Sequence, residues 1–342
     1  MTVNLFSDTQ TVPTPEMLQA MIGAEVGDEQ RGTDRTVVAL QDRVAGLLGH
    51  EAGLFLPTGT MCNAIGLRLH IRPGGDEIIL HEFAHAVESE CGSPAALSGA
   101  SLRLLHTKSG LFGPSELESA IRPQSRYQPR SRLLVVEQTT NLGGGRIWSA
   151  AALDGVLETA RSHGLRTHLD GARLMNAAVA ASEPPSRFAS GFDTAWIDFA
   201  KGLGCPFGAV LVGSSELIEE AWRYKQMWGG AMRQAGYLAA ACLYALDHNI
   251  DRLAEDHELA RRLAEGLAHI PGVDLDPADI DTNIVIFGVG DAGGVGAALA
   301  ERGLELPAVD GSRLRAVTYL GVTRADIDEA LALIAEVVGG AR

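Results

Sequence analysis

The chain has 342 residues, of which 46% are hydrophobic and 21% charged, and it contains 14 prolines. This composition argues against a disordered or collagen-like protein, and the length suggests roughly two domains. The formal net charge of −15 argues against nucleic acid and anionic membrane surfaces as partners, because both would repel the protein.

The first residues lack the basic and apolar segments of a secretory signal. The longest mostly apolar stretch, 235–246, is too short to span a bilayer. We therefore expect a cytoplasmic protein without a membrane partner. Four widely spaced cysteines fit neither a zinc motif nor a dense disulfide framework, so reduced thiols are expected; they are Cys62, Cys91, Cys205 and Cys242.

Helices are predicted over 15–24, where Thr14-Pro15-Glu16 provides a cap and a proline start, and over 36–48, before Gly49. Short continuous apolar runs follow, separated by stretches with helical spacing. Such runs are typical of strands buried on both faces of a mainly parallel sheet. The predicted strands are 53–56, 77–80, 102–105, 133–136, 166–169, 194–199 and 209–212.

Helices dominate after residue 212, with predicted spans 216–227, 233–247 and 252–269. Strands at 284–287 and 315–319 then flank a helix near 295–302, and a last helix covers 323–338. We therefore predict an α/β protein with an N-terminal arm and first helix at 1–25, a large domain at 26–247 and a small α+β domain at 248–342. The arm is expected to pack near the small domain.

Polar residues follow several predicted strands, at the sheet edge where open α/β proteins bind ligands. Thr58-Gly59-Thr60 ends a strand and begins a helix, so free N–H groups and two hydroxyls could bind a phosphate. An ordinary tight turn explains this tripeptide at least as well when it is considered alone.

Asp170 and Arg173 follow the strand predicted at 166–169. The carboxylate could hold a cationic ring nitrogen and the guanidinium could bind an anion; a structural Asp–Arg pair is the alternative. Lys201, one of only three lysines, ends an apolar strand in a glycine-rich turn. Burial there would favour the neutral, nucleophilic amine over an ordinary surface lysine.

His81 and His85 follow another strand, and His85 could lie over a ligand at the same edge. Two histidines four residues apart also suggest a metal, but the acidic partner of a metalloprotease helix is absent, and a structural role is equally consistent for each. Taken together, a lysine, an aspartate and a phosphate-binding helix start describe a site for pyridoxal 5′-phosphate (PLP).

The chain resembles the threonine aldolase family of PLP enzymes, which share the aspartate-aminotransferase type I fold. The resemblance covers nearly the whole chain. Matching stretches lie within 7–14, 52–63, 84–85, 92–99, 168–173, 201–208 and 230–236. They include Pro57-Thr58-Gly59-Thr60-Met61, His168-x-Asp170-Gly171-Ala172-Arg173 and Lys201-Gly202-Leu203-Gly204.

The resemblance implies that Lys201 forms the Schiff base with the cofactor, Asp170 pairs with its ring nitrogen, and His85 stacks on the ring and moves a proton at the substrate hydroxyl. It also implies binding residues for the phosphate and the amino-acid carboxylate; the candidates are Thr58, Gly59, Thr60, Arg173 and Arg233 for the cofactor, and Ser7, Arg173, Arg315 and Thr140 for the substrate. Family members are typically tetramers, so a homotetramer built as a dimer of dimers is expected, with Arg233 and also Lys225 near a neighbouring subunit's site.

Three positions depart from the family pattern. Thr140 replaces a usual histidine, Tyr319 replaces another, and Arg31-Gly32-Thr33-Asp34-Arg35 replaces Tyr-Gly-Glu-Asp-Pro. The expected reaction is reversible cleavage of an L-β-hydroxy-α-amino acid, such as threonine, allo-threonine or a phenylserine-like compound, into glycine and an aldehyde. Because Thr140 cannot titrate and is small, phenylserine-like substrates are expected to exceed threonine in kcat/KM, with Thr140→His narrowing the gap. In the alternative, water or another side chain takes the histidine's role and threonine stays the preferred substrate.

Rival reactions on the same cofactor remain open: β-elimination, glycyl transfer to an aldehyde, and racemisation. A protein that holds PLP without turnover is a further alternative.

Overall fold

The computed structural model describes residues 3–340, in which strands and helices alternate along most of the chain. The strands are β1 (Val3–Asn4), β2 (Ala52–Leu56), β3 (Asp76–His81), β4 (Ser101–Leu105), β5 (Arg130–Glu137), β6 (Arg166–Asp170), β7 (Thr194–Asp198), β8 (Ala209–Gly213), β9 (Ile284–Gly288), β10 (Leu304–Glu305) and β11 (Arg313–Val317). The helices are α1 (Pro15–Ile22), α2 (Arg35–Leu48), α3 (Gly59–His70), α4 (His85–Glu88), α5 (Ser93–Ser98), α6 (Pro114–Ala120), α7 (Ala150–Ser162), α8 (Leu174–Ala181), α9 (Pro185–Ala189), α10 (Ser215–Met227), α11 (Gly236–His248), α12 (Leu253–Leu267), α13 (Ala292–Glu301) and α14 (Arg324–Gly340).

A seven-stranded sheet forms the centre of the large unit, in the order β2-β8-β7-β6-β5-β3-β4. Neighbouring strands from β7 to β4 run parallel, whereas β8 is antiparallel to both β7 and β2. The predicted mainly parallel sheet is confirmed. Because β8 returns directly alongside β7, the loop 199–208 stays at the carboxyl edge of the sheet.

Continuous burial explains why the strands could be found from sequence. Every residue of β3, β7 and β8 is buried, as expected for strands covered by helices on both faces. The predicted strands agree with the observed ones to within a few residues at each end, which is the usual uncertainty of element boundaries.

Helix boundaries differ from prediction by up to three residues, and two of these differences have a local reason. The first helix ends at Ile22, since Gly23 follows it as the C-cap. Helix α11 begins at Gly236 rather than at 233, because the preceding segment is bound to residues near the chain start: Glu29 accepts the Met232 N–H at 2.8 Å and Asp34 accepts the Gly236 N–H at 2.8 Å.

The C-terminal part of the chain has its own small sheet and hydrophobic core. Strand β11 pairs antiparallel with β9, and helices α12, α13 and α14 contribute to the core beside them. The N-terminal arm joins this unit, because β1 pairs parallel with β10 and Val3 and Leu5 are buried in the same core. The boundary at residue 247 stays a prediction. Within residues 3–340 no helix combines the length and apolarity needed to cross a membrane.

Helix α3 packs so closely on the sheet that one glycine is required. A Cβ at Gly66 would lie 2.2 Å from Cε1 of His168, whose ring is held by Thr194 Oγ1 at 2.8 Å and Asn63 Oδ1 at 3.2 Å. The ring is fully buried and cannot move aside without breaking these hydrogen bonds.

We predict that Gly66→Ala lowers the free energy of unfolding by about 1–3 kcal/mol through overpacking. Gly46→Ala, inside α2 where a Cβ would meet nothing within 4 Å, should instead raise it by roughly 0.5–1 kcal/mol. Denaturant unfolding of both variants measures the difference, and equal changes would contradict the close packing of α3.

Candidate active site

Four strands of the large sheet deliver polar residues to the same edge. Strand β2 leads to Thr58 at the N-cap of α3, β3 leads to His85, β6 ends at Asp170, and β7 leads to Lys201. These strands share one direction along the sheet, so their carboxyl ends meet. The residues proposed from sequence for cofactor chemistry are therefore brought together.

Lys201 is mostly buried, with 16% of its side chain exposed, and its ammonium forms an ion pair with Asp198. This carboxylate is next to the start of α3, since a Cβ at Gly59 would lie 3.1 Å from Asp198 Oδ2 and 2.4 Å from the Trp196 ring. Lys201 is thus not a free surface lysine. Its amine becomes available for a covalent bond only after it leaves Asp198.

The start of α3 presents a potential anion-binding group. Thr58 caps the helix by accepting the Met61 N–H at 3.2 Å, while the N–H groups of Gly59 and Thr60 have no hydrogen-bond partner among the described residues. Side chains at Thr58 and Thr60 are exposed and Gly59 has no room for one. Helix starts of this kind favour phosphate.

Asp170 is buried at the end of β6 and accepts hydrogen bonds from Asn63 Nδ2 at 2.7 Å and the Ala172 N–H at 3.1 Å. Burial raises the pKa of Asp170, and the nearby His85, Asn63 and Lys201 only partly offset this effect. Such a carboxylate is stabilised by a cationic ring nitrogen. The alternative of an Asp170–Arg173 structural pair is wrong, because Arg173 binds a different carboxylate.

His85 begins α4 and donates its backbone N–H to Glu137 Oε2 at 2.8 Å. Its ring Nδ1 lies 2.9 Å from Glu90 Oε1. This hydrogen bond to Glu90 raises the pKa of His85, against the effect of burial and with the help of Asp170 and Glu137. His81 faces elsewhere, towards Phe83 and Thr107.

The sequence reasoning missed several residues of this site, among them Asn63, Glu90 and Glu137, as well as Asp198 beside Lys201. Glu137 pairs in register with Asp170 on the neighbouring strand, and burial together with the Asp170 charge raises its pKa to about 7. Because Glu137 ends a buried strand, as Asp170 does, its position in the sequence could have identified it as a candidate site residue. Asn63 and Glu90 lie on helical and loop segments that come close only through packing, so no spacing rule could have found them.

A second group of residues forms around a buried ion pair. Arg173 donates from Nε and Nη2 to the two oxygens of Asp8, both at 2.7 Å, and both side chains are at most 5% exposed. Ser7 Oγ is 3.4 Å from Asp8 Oδ1. Burial opposes ionisation of Asp8, but the charge and hydrogen bonds of Arg173 outweigh it and hold the pKa of Asp8 below its ordinary value.

Arg315 approaches the same group from the small sheet. It donates to Asn141 Oδ1 at 2.8 Å and to the Phe6 carbonyl at 3.2 Å, and its buried Nε has no partner among the described residues. Burial and the charge of Arg173 lower the pKa of Arg315 to about 10. Asp8 is paired with Arg173, whereas Arg315 binds only neutral oxygens within residues 3–340, so the group retains a positive charge suited to a substrate carboxylate.

Thr140 does not leave the open space expected from its small size. A Cβ at Gly110 would lie 3.0 Å from its Cγ2, and one at Gly143 would lie 2.4 Å from its Oγ1, which is buried and unpartnered among the described residues. Both glycines thus lie close against the Thr140 side chain. The apolar recess beside it, lined also by Phe83 and Phe112, has room for about one water molecule.

Two further expectations concern a neighbouring subunit. Arg233 is at the surface, 60% exposed, and pairs with Asp28 at 3.0 Å. Lys225 is fully buried and its ammonium binds Glu29 and the Phe55 carbonyl. The Lys225 charge is thus neutralised inside its own chain, and its proximity to another subunit's site stays a prediction.

Of the two other departures from the family pattern, Tyr319 has a structural role and Arg31 lies at the surface. The Tyr319 hydroxyl donates to the Asn4 carbonyl at 3.0 Å and holds the N-terminal arm. Arg31 is exposed in the 3₁₀ turn Glu29–Arg31, ahead of Asp34, which caps α2.

Known proteins resemble the chain over most of its length. The family model for beta-eliminating lyases matches residues 4–289. Low-specificity L-threonine aldolase 1 of Arabidopsis thaliana is 37% identical over 333 residues, which cover 95% of this chain and 93% of that protein. The chain belongs to the threonine aldolase family. Another relative, alanine racemase TOXG of Cochliobolus carbonum, is 32% identical over 90% of this chain and 81% of its own length.

Solved structures agree with this fold. The Leishmania major threonine aldolase superimposes with a TM-score of 0.83 at 20% identity, covering 98% of this chain and 99% of that one. The expected type I fold of PLP enzymes, with a large mostly parallel sheet, is confirmed.

The buried Asp8–Arg173 pair generates a stability prediction for this family member. We expect Asp8→Asn to lower the free energy of unfolding by about 3–5 kcal/mol at pH 7, because it leaves Arg173 buried and unpaired. Asp247→Asn breaks an exposed pair with Arg43 and should cost at most about 1 kcal/mol.

The contribution of Asp8 to the stability of the protein should depend on pH in a defined direction. Since the pKa of Asp8 is lowered on folding, its contribution is present above its ordinary pKa, 3.8, and is lost as the pH falls through the lower folded value. Thermal unfolding between pH 2 and 7 tests this, and an Asp8→Asn penalty that persisted unchanged at the acid end would contradict the assignment.

Proposed function

We propose that the protein is a PLP-dependent lyase that cleaves L-β-hydroxy-α-amino acids reversibly into glycine and an aldehyde. The observation that carries the proposal is the meeting of Lys201, Asp170 and the start of α3 at one sheet edge, in a chain 37% identical to a low-specificity L-threonine aldolase.

The residues at this edge fit PLP in their chemistry. Lys201 would provide the amine for covalent attachment, buried Asp170 the counter-charge for the ring nitrogen, and the N–H groups of Gly59 and Thr60 with the Thr58 and Thr60 hydroxyls the phosphate contacts. When bound, PLP supplies an electron sink for the pair released at the α-carbon as the Cα–Cβ bond breaks.

We assign the substrate carboxylate to the positive group formed by Arg173 and Arg315. The Arg173 guanidinium is buried against Asp8, and the buried Nε of Arg315 has no hydrogen-bond partner in the part of the chain that the structure describes. Ser7 Oγ lies beside them and offers a further donor. A carboxylate bound here is held by charge and by directed hydrogen bonds, which fixes the orientation of the amino acid.

We assign to His85 the removal of the substrate's β-hydroxyl proton during cleavage. Its Nδ1 is occupied by Glu90, so Nε2 is the nitrogen available to the substrate. The pKa of His85 is raised, and the ring accepts a proton only when neutral. Cleavage should therefore increase with pH through a value above the ordinary 6.5, and the same histidine, once protonated, serves the synthetic direction.

The recess at Thr140 does not favour a bulky aldehyde group. It has room for about one water molecule, so a phenyl ring placed in this recess would require Phe83 or Phe112 to move. Thr140→His would crowd Gly110 and Gly143 rather than restore a histidine. Threonine, allo-threonine and phenylserine-like compounds all remain candidate substrates.

A homotetramer that places Arg233 near a neighbouring subunit's site is part of this proposal. The Arg233 side chain is exposed and pairs only with Asp28 among the described residues. Apolar side chains at Val12, Leu18 and Ile22 are also exposed, which suits burial between subunits. Location in the cytoplasm likewise stays a prediction.

Racemisation is the second candidate activity, because a relative of 32% identity is named an alanine racemase. Lys201 and His85 are two titratable groups on separate strand ends of the same site. Proton transfer at the α-carbon by both groups would invert an amino acid without breaking Cα–Cβ.

The first functional prediction is spectroscopic. Purified protein with PLP should be yellow, and Lys201→Ala should lose the near-visible absorption band because the covalent attachment is gone. Lys108→Ala removes an exposed lysine and should leave the band unchanged. A wild-type protein that stays colourless after PLP is added would refute the cofactor assignment.

The second functional prediction concerns products. With L-threonine, L-allo-threonine or L-phenylserine we expect glycine together with acetaldehyde or benzaldehyde, measured by chromatography. Ammonia and a keto acid would indicate β-elimination. Formation of D-alanine from L-alanine at a rate above the aldol cleavage of every tested substrate would favour the racemase.

A further inference from the structure

The amide of Asn63 lies between the two halves of the site. Its Nδ2 donates to Asp170 Oδ2 at 2.7 Å and to Glu90 Oε1 at 2.8 Å. Its Oδ1 accepts from Trp196 Nε1 at 2.8 Å and contacts His168 Nε2 at 3.2 Å. Because indole is a donor only and ionised carboxylates are acceptors only, this amide has one possible orientation.

Glu90 is buried and surrounded by donors. Besides Asn63, it receives Ser93 Oγ at 3.0 Å on Oε2 and faces His85 Nδ1 at 2.9 Å on Oε1. Asn63 and Ser93 already donate to Glu90, and a carboxylate oxygen 2.9 Å from Nδ1 favours the His85 tautomer that carries its hydrogen on Nδ1. The ring is thereby held in one orientation and one tautomer.

We propose that Glu90 and Asn63 are positioning residues of the proposed reaction: Glu90 fixes the tautomer and orientation of His85, and Asn63 ties Glu90 to Asp170 so that proton positions at the two groups are coupled. This inference rests on the proposed function for its role in catalysis. The hydrogen-bonded chain Asp170–Asn63–Glu90–His85 is present in the protein regardless of the reaction.

The charge environment supports this chain. His85 is faced by Glu90 from the segment after α4, by Glu137 from the end of β5 and by Asp170 from the end of β6, with Lys201 beyond Asp170. Glu90 is the member of this set that touches the imidazole ring directly. Its replacement should therefore change the titration of His85 more than the loss of any more distant charge.

The decisive experiment uses Glu90→Gln, with ¹⁵N-histidine NMR of the protein before PLP is added and pH profiles of kcat/KM for the holoenzyme. We expect the His85 pKa to fall by about one to three units, as for loss of a neighbouring opposite charge. The acid limb of the pH profile for cleavage should move to lower pH. The value of kcat should fall by roughly tenfold or more, which is a smaller decrease than the loss of the general base itself would cause. A His85 titration and acid limb that match wild type would overturn the proposal.

Glu90→Asp separates charge from orientation and covers the case in which the glutamine variant does not fold. It keeps a carboxylate one methylene further away, so the acid limb should stay nearer to wild type while kcat still falls. Equal losses of stability and activity in both variants, with no change in pH profile, would indicate a purely structural glutamate and refute the proposal.

Asn63→Ala tests the coupling to Asp170. We expect the variant to shift both the pKa of His85 and the pH midpoint at which the absorption band of the bound cofactor changes. A shift in only one of these two values would overturn the proposed coupling. Glu77→Gln is the matched control, a buried glutamate on β3 that pairs with Arg122 at 2.9 Å away from the carboxyl edge, and it should leave both readouts unchanged. The NMR readout remains valid if no aldol cleavage is found, so failure of the proposed function is distinguishable.

Discussion

The buried ion pair between Asp8 and Arg173 is the interaction on which the relative placement of the chain's parts depends. Asp8 belongs to the N-terminal arm, whose strand β1 is hydrogen-bonded to the small unit, and Arg173 follows the central strand β6. Asp8 also accepts from Asn283 Nδ2 at 3.3 Å, at the start of the small sheet. One carboxylate therefore connects both hydrophobic cores at the point where the substrate carboxylate is proposed to bind.

As a result, the two sides of the site differ in the sign of their charge. Arg173 and Arg315 provide positive charge around Asp8, and the start of α3 adds the positive end of a helix dipole. Carboxylates are concentrated on the other side, where Asp170 and Glu137 are adjacent on neighbouring strands. An amino acid attached to a cofactor has anionic groups and a cationic ring, and the two sides of the site match them.

The fold could be predicted from sequence because the buried strands are continuous apolar runs, and Lys201 and Asp170 could be found because each stands just beyond such a run. Asn63 and Glu90 could not, because their roles arise from packing of α3 and the segment after α4 against β6. The space at Thr140 was misjudged for a similar reason, because its contacts with Gly110 and Gly143 in two separate loops arise from tertiary packing.

The loop between β7 and β8 has a consequence for how this protein can change during evolution or engineering. The Gly208 N–H donates to the Pro57 carbonyl at 3.1 Å, Asn249 Nδ2 donates to the Leu203 carbonyl at 2.7 Å, and Gly204 and Gly208 both adopt positive φ. The lysine loop is thus bound to the segment that precedes α3 and to the helices that follow the sheet. An insertion or deletion between 199 and 208 would displace the phosphate-binding turn as well as the lysine, so length variation in this family member should be confined to other loops.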